Sequence, residues 1–254
     1  MKISIGATLG LALALTLSAC GDDSASNNAG NAAGNGSAGA GAQLTRIPAP
    51  NNGDWTQVVA TTPEGGIRMG NPDAPTKLVE FGSMTCSHCA EFSHAASERL
   101  RSHYVASGQV SFEFRHFVRD GADAAAATLA RCMPPAAFFR VTEDLFASQQ
   151  EWLGKIDSAE QQQLQSLPQG AQLGAMARAA ELDAFFRTRG LPQARIDQCL
   201  ADQAALDRLA QNTQRDAERY RIPGTPAFLI NDELVPNASA WEALEPALRA
   251  QVGS

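Results

Sequence analysis

Two cysteines separated by two residues, Cys86 and Cys89, are the part of the sequence with the clearest chemistry. They follow an apolar run at residues 78–81 and precede a segment whose apolar residues recur at helical spacing. This pattern predicts a strand that leads into a helix, with Cys86 at the helix N-terminus. Unpaired N–H groups and a partial positive charge at that position favour a thiolate over a thiol. His88, when protonated, would add a second cationic influence.

A lowered pKa would make Cys86 a good nucleophile at neutral pH and a better leaving group. Cys89 follows one helical turn later, close enough to form a disulfide with Cys86. A disulfide next to a stabilised thiolate tends to be reduced easily and to oxidise other dithiols. The spacing therefore predicts a redox-active disulfide, Cys86–Cys89.

Two other interpretations of the CxxC motif have less support. A zinc site needs two further ligands, and the sequence has no second CxxC or HxxxH pair. A purely structural disulfide across so short a loop would be strained and would contribute about 2 kcal/mol or less. We therefore expect no metal and no small cofactor.

The overall composition is that of a globular domain with a full hydrophobic core and is unlike that of a nucleic-acid-binding protein. The chain has 254 residues, of which 44% are apolar, and its formal net charge is −7. No cluster of basic residues is present, which argues against nucleic acid as a partner.

The first residues predict export and a lipid anchor. Residues 1–19 combine a short positive start with an apolar run, the pattern of a secretory signal that is too short for a comfortable membrane span. The end of this segment resembles a bacterial lipobox, in which Cys20 would be lipidated and attach the chain to a membrane. Ordinary cleavage near Ala19, which would leave Cys20 free, is the alternative. An exported chain would be in an oxidising compartment, where disulfides persist.

The composition divides the remaining chain into two parts. Residues 20–50 are rich in Gly, Ala, Asn and Ser and predict a disordered tether. Residues 51–254 predict a folded α/β domain. Within it, strands are expected at 55–60, 67–69, 76–82, 109–118, 227–230 and 233–235, and an Ala-, Gln- and Leu-rich helical block is expected at about 120–219.

Two separated motifs resemble the thioredoxin-like thiol–disulfide oxidoreductases of the DsbA class. The first is the stretch 70–92, which contains Cys86-Ser87-His88-Cys89, and the second is the stretch 222–228, which contains Thr225-Pro226. The resemblance covers about residues 55–252 and implies a thioredoxin fold with an inserted helical domain.

The resemblance also implies roles for individual residues of the CxxC motif. Cys86 corresponds to the exposed nucleophilic cysteine, and Cys89 to the buried cysteine that resolves or leaves. His88 corresponds to the histidine that stabilises the thiolate.

Three residues outside the motif correspond to further functional positions. Pro226 corresponds to a cis-proline that faces the active disulfide, and Thr225 to the residue whose backbone pairs with a substrate chain. Glu80 corresponds to a buried acid that assists proton transfer at the resolving cysteine. The alternatives are a trans proline in an ordinary turn and a solvated carboxylate at a strand end.

Cys132 and Cys199 lie in the predicted helical block, and two interpretations remain open for them. They could form a second, structural disulfide, as in some DsbA-like proteins, or remain two separate buried thiols that pack as small hydrophobic residues.

The function that the resemblance implies is the introduction of disulfides into exported proteins. The expected partners are reduced exported proteins as substrates and a membrane reoxidant similar to DsbB or VKOR. We expect a monomer in the periplasm or an equivalent extracytoplasmic space, because no N-terminal dimerisation domain is visible. A disulfide isomerase or reductase of the same superfamily and a redox-inactive, lipid-anchored chaperone are the alternatives.

Overall fold

A mixed six-stranded sheet forms the framework of the domain in the computed structural model, which describes residues 44–157, 162–164 and 166–252. The strands are β1 (Val59–Thr61), β2 (Ile67–Gly70), β3 (Thr76–Gly82), β4 (Val110–His116), β5 (Ala227–Ile230) and β6 (Glu233–Leu234). They are arranged in the order β1-β2-β4-β3-β5-β6. The pair β3 and β4 is parallel, and the other neighbouring pairs are antiparallel.

The helices divide into those of the frame and those of an insertion. The frame contains α1 (Ser87–Arg99), which continues as a π-helical turn at Leu100–Tyr104, and α9 (Trp241–Gln251). Between β4 and β5 the described chain forms α2 (Gly121–Cys132), α3 (Phe138–Ala147), α4 (Gln149–Leu153), α5 (Gln169–Ala179), α6 (Leu182–Thr188), α7 (Gln193–Leu200) and α8 (Gln203–Tyr220). Short 3-10 turns lie at Pro50–Asn52, Trp55–Gln57, Val105–Ser107 and Pro135–Ala137.

The two faces of the sheet are buried to different extents, because successive side chains of a strand point to opposite faces. On one face Leu78 and Phe228 belong to the main hydrophobic core, to which α1 and the insertion also contribute. On the other face Val79, Phe81 and Leu229 form a smaller cluster with the end of α8. The cysteine helix α1 therefore rests on the more deeply covered face.

The Cys132–Cys199 disulfide is present in the structure and joins α2 to α7, with the two Cα atoms 6.3 Å apart. It closes a loop with a sequence separation of 67 residues. In the chain-entropy model a loop of this size stabilises the fold by about 4 kcal/mol.

The predicted boundary between tether and domain is too late by several residues. Residues 44–50 were expected to belong to the tether, but Leu44 is only 8% exposed and belongs to the main core. The Ile47 amide donates to the Ser107 carbonyl at 2.7 Å, and the Trp55 indole donates to the Ile47 carbonyl at 2.8 Å. These apolar and main-chain contacts attach residues 44–47 to the folded domain, although their composition predicts a disordered tether. The predicted signal peptide, Cys20 and tether residues 20–43 lie outside the described residues.

The predicted strand at residues 55–60 is only half correct. Residues 55–57 form a 3-10 turn because the Asp54 side chain accepts a hydrogen bond from the Thr56 amide at 2.9 Å. The strand begins only at Val59.

Candidate active site

The two CxxC cysteines lie where β3 leads into α1. Cys86 is the N-cap residue of α1, and Cys89 lies in its first turn. Both are free thiols in the structure. Cys86 is 4% exposed and Cys89 is completely buried. Cys86 is thus the more accessible of the two, as expected, but it is far less exposed than the resemblance implied, because Cys89 and the loop at Thr225 surround its sulfur.

The surroundings of Cys86 lower its pKa to about 5. The hydrogen bond from the Cys89 side chain makes the largest contribution, and burial opposes it. The Thr225 side chain and the backbone N–H groups of Cys89 and His88 lower the pKa further. These N–H groups are unpaired donors of the first helical turn, as the position of Cys86 predicted.

The environment of Cys89 acts in the opposite direction. Burial is the main cause that raises its pKa well above the ordinary value, followed by the Cys86 side chain and the charge of Glu80. At neutral pH Cys86 is therefore a thiolate while Cys89 keeps its proton.

The second motif lies next to the first, at one end of the neighbouring strand. Residues Thr225 and Pro226 directly precede β5, which pairs with β3 in antiparallel register, so the two loops meet at the same edge. The Thr225–Pro226 bond is cis, as the resemblance implied. In its protonated form, the Cys86 thiol donates to the Thr225 carbonyl at 3.1 Å. The buried Thr225 hydroxyl makes no other hydrogen bond among the described residues, so it is free to donate to the Cys86 sulfur when that sulfur is a thiolate.

Glu80 lies in the middle of β3 beneath the cysteines. It is 3% exposed, and its Oε1 atom has no hydrogen-bond partner among the described residues. Burial, and secondarily the charge of Cys86, raises the pKa of Glu80 to about 8. A solvated strand-end carboxylate is therefore excluded.

The His88 ring is exposed to solvent and is paired with Glu91. Its side chain is 69% exposed, and Nδ1 lies 3.1 Å from the Glu91 carboxylate. The hydrogen bond with Glu91 is the main cause that raises the pKa of His88, and the charge of Cys86 is a smaller one. His88 therefore acts on Cys86 through its backbone N–H, and its ring adds only a weaker charge interaction.

Two insertion residues that we did not predict hold the loop before Cys86. Asp123 of α2 accepts from the Met84 amide at 2.8 Å and from the Arg119 amide at 3.0 Å. Gln149 of α4 donates to the carbonyls of Met84 at 2.8 Å and Cys86 at 2.9 Å. Asp123 had a weak sequence signal, since it lies in the first turn of an Ala-rich helix. Gln149 stands among other Gln residues without any distinguishing pattern.

The fold and the site together define a thioredoxin-fold protein with a CxxC dithiol opposite a cis-proline. A family model described as Thioredoxin matches residues 62–250. The chain therefore belongs to this family, and the expected thioredoxin fold with an inserted helical domain is confirmed.

Individual relatives agree with this assignment. The crystal structure of a protein-disulfide isomerase from Novosphingobium aromaticivorans has a TM-score of 0.71 and 31% identity, and the match covers 74% of this chain and 97% of that one. BdbD from Bacillus subtilis, at 19% identity and a TM-score of 0.55, shares the fold over 80% of this chain and 100% of its own.

A sequence relative from Rickettsia bellii is named "Putative protein-disulfide oxidoreductase". It is 26% identical over 177 residues, which make up 69% of this chain. The matched part spans 61% of the length of that relative.

Proposed function

We propose that this protein is an exported thiol:disulfide oxidoreductase that introduces disulfides into other exported proteins. The observation that carries the proposal is the asymmetry of the CxxC pair, in which the pKa of Cys86 is lowered to about 5 and that of Cys89 is raised. A stabilised Cys86 thiolate favours the reduced form of the pair, and the oxidised form is then a strong oxidant.

The reaction is thiol–disulfide exchange in two steps. A substrate thiolate attacks the Cys86 sulfur of the oxidised pair, the Cys86–Cys89 bond breaks, and Cys89 leaves with the electron pair. A second substrate thiolate then attacks the substrate sulfur of the mixed disulfide and expels Cys86 as a thiolate. The substrate loses two electrons and gains a disulfide, and the CxxC pair is reduced.

Glu80 is the proposed proton donor and acceptor for Cys89. The leaving Cys89 sulfur is completely buried, so its negative charge is costly until it receives a proton. Glu80 is also buried and has a pKa of about 8, so at neutral pH it holds a proton that it can give to Cys89. The charge of Glu80 acts on Cys89, which supports this coupling.

Thr225 and Pro226 are the proposed contact for the substrate backbone. The Thr225 carbonyl lies within hydrogen-bond distance of the Cys86 sulfur, so a chain joined to that sulfur would lie alongside residue 225. An extended substrate segment could pair with the Thr225 backbone there as an added strand.

The proposed setting is the surface of a membrane in an extracytoplasmic compartment. Residues 1–19 would direct export, lipid on Cys20 would provide the anchor, and residues 20–43 would form the tether. Among the described residues, no helix has the length and apolar character needed to cross a membrane. A membrane protein similar to DsbB or VKOR would reoxidise the CxxC pair, and the chain would act as a monomer.

The first test is the equilibrium reduction potential of Cys86–Cys89, measured by titration against glutathione. We expect a value well above the thioredoxin value of about −270 mV and toward about −120 mV. A value close to that of thioredoxin would mean that the pair is kept reduced in its compartment and would refute the oxidase.

The second candidate is a disulfide isomerase or reductase. The Novosphingobium protein, which is described as a protein-disulfide isomerase and has 31% identity with this chain, favours it. Thr225 also resembles the residue before the cis-proline in the isomerase branch, and in some DsbA-like branches, more than that of enteric oxidases. An assay with scrambled ribonuclease distinguishes the two. An isomerase restores ribonuclease activity from the scrambled form without added oxidant, whereas an oxidase restores it only from reduced ribonuclease.

A redox-inactive chaperone is the remaining alternative, and Cys86→Ser separates it from both redox enzymes. We expect the variant to lose all disulfide-forming activity in cells. Full activity of this variant would place the protein in the chaperone class.

A further inference from the structure

The loop between β3 and α1 is held by the inserted helical domain. Both backbone polar groups of Met84 are bound, because its N–H donates to Asp123 and its carbonyl accepts from Gln149. The Cys86 carbonyl also accepts from Gln149, at 2.9 Å. The backbone that carries the reactive sulfur is thus connected to α2 and α4, outside the thioredoxin frame.

Gln149 is suited to this contact because its primary amide carries two N–H donors. Its Nε2 atom donates to two carbonyls, and the residue is only 5% exposed. The Cys86 carbonyl also accepts from the Ala90 amide at 3.2 Å, which is the first hydrogen bond of α1. Gln149 therefore binds the carbonyl group at which the helix begins.

The position of the Cys86 sulfur depends on this backbone geometry. Cys86 has extended dihedral angles, φ −86° and ψ 118°, at the N-cap of α1. In that conformation the His88 and Cys89 N–H groups and the Thr225 side chain all stabilise the thiolate. Without Gln149, the Met84 carbonyl would lose its donor and the Cys86 carbonyl would keep only the Ala90 amide, and the loop would shift to satisfy the buried Met84 carbonyl.

We propose that Gln149 is a positioning residue for thiol–disulfide exchange, which holds the 84–86 backbone so that the Cys86 sulfur faces the first N–H groups of α1 and Thr225. Gln149 acts through the backbone of Cys86 and not on the substrate. This inference rests on the proposed function, because it concerns the reactivity of the same cysteine pair.

The test is the Gln149→Leu variant of the chain, which keeps a similar volume and removes both donors. We expect the pKa of the Cys86 thiol to rise by about one unit, which is a tenfold loss of thiolate stabilisation. The equilibrium with glutathione should move about tenfold in favour of the Cys86–Cys89 disulfide. For a two-electron couple this corresponds to a potential about 30 mV more negative.

Trp152→Phe is the matched control. Trp152 lies on the same helix α4, is 3% exposed, and its indole donates to the Leu145 carbonyl at 3.0 Å. The substitution removes a buried side-chain-to-carbonyl hydrogen bond from the insertion without touching residues 84–86. It should lower the melting temperature and leave the Cys86 pKa and the glutathione equilibrium unchanged.

Gln149→Met provides a second test if the leucine variant does not fold. Methionine keeps the length of Gln149 but has no N–H donor and no charge, so it should raise the Cys86 pKa about as much as leucine does. The inference is overturned if a folded Gln149 variant keeps the wild-type pKa and equilibrium, or if Trp152→Phe changes them equally. An ordinary thiol pKa for Cys86 in the wild-type chain would instead refute the proposed function.

Discussion

The two cysteine pairs of this chain lie at opposite ends of their helices. Cys86 is the N-cap of α1, whereas Cys132 is the last residue of α2 and Cys199 the next to last of α7. A helix N-terminus stabilises a thiolate and a helix C-terminus destabilises it. The first pair consists of free thiols, and the second is joined as a disulfide.

This difference indicates that a cysteine's position on its helix affects the reactivity of any disulfide it forms. A cysteine whose thiolate is stabilised leaves easily, so its disulfide is readily reduced. Cysteines at helix C-termini are poor leaving groups, and a disulfide between distant helices restricts the unfolded chain. The same compartment can therefore hold one reactive and one structural disulfide in a single domain.

The largest expected contrast is in the pH dependence of alkylation of the fully reduced chain. With a pKa of about 5, Cys86 is mostly thiolate at pH 6, whereas a thiol of ordinary pKa, about 8.5, is ionised to about 0.3%. The alkylation rate of Cys86 should rise through pH 5 and reach a plateau before pH 7. Iodoacetamide labelling followed by mass spectrometry of each cysteine peptide measures this.

The same pKa predicts how the stability of the dithiol form depends on pH. Because the pKa of Cys86 in the folded chain lies below that in the unfolded chain, its contribution to stability is present above about pH 9 and is lost as the pH falls to about 5.

If Cys86 and Cys132 showed the same dependence of alkylation rate on pH, the proposed difference between the two cysteine pairs would be wrong.

The double variant Cys132→Ala/Cys199→Ala should lose stability but keep its redox chemistry. Removal of a native disulfide costs about 2–5 kcal/mol, so the denaturant midpoint should fall. The Cys86–Cys89 potential should remain that of the wild type, since Cys132 is the last residue of α2 whereas Asp123, which holds the active-site loop, lies in its first turn. A potential that changes together with stability would show that the second disulfide also serves the active site.

Glu80→Gln should slow the reduction of the Cys86–Cys89 disulfide about 10- to 100-fold at pH 7, because the amide cannot give a proton to Cys89. Stopped-flow measurement with a reduced peptide tests this. Glu113→Gln is the control, since Glu113 is also buried on a central strand but is paired with Arg115 at 2.7 Å. A Glu80→Gln rate equal to that of the wild type would exclude the proton-transfer role.

The same variant has a second signature in its stability. The pKa of Glu80 rises from 4.5 to about 8 on folding, so the wild type loses stability as the pH increases through that interval. Glu80→Gln removes this loss, and its stability relative to the wild type should therefore increase between pH 5 and pH 8.

Much of this site could be predicted from the sequence because its residues belong to local patterns. The CxxC motif after an apolar strand placed Cys86 at a helix N-terminus, and the spacing of Cys86 and Cys89 required no tertiary information. The role of Thr225 and Pro226 follows only from the family resemblance. Cys86 and Thr225 are 139 positions apart, so no local pattern indicates that they meet.

The parts that could not be predicted depend on long-range contacts. Gln149 meets Cys86 across 63 residues, and its sequence neighbourhood is an ordinary polar helix start. Leu44 and Ile47 lie at the end of a low-complexity segment, and only their packing and main-chain hydrogen bonds show that they belong to the domain. The His88 ring is also paired with Glu91, and the sequence alone does not indicate that the ring prefers this carboxylate to the Cys86 sulfur.

His88→Ala should have the smallest effect on the reactive pair. The ring is 69% exposed and paired with Glu91, so solvent screens its charge, and the substitution keeps the backbone N–H that stabilises the thiolate. We expect the pKa of Cys86 to rise by less than about one unit, measured by thiolate absorbance.

Glu91→Gln is the control for His88→Ala, because it releases the ring from its partner without removing it. If the ring is held away from the sulfur by Glu91, this variant should lower the pKa of Cys86 slightly, since a freed imidazolium can approach the thiolate. A rise of several pKa units in His88→Ala would instead make the ring the main stabiliser of the thiolate, as the family resemblance implied. The helix N-terminus would then no longer account for the difference between the two cysteine pairs.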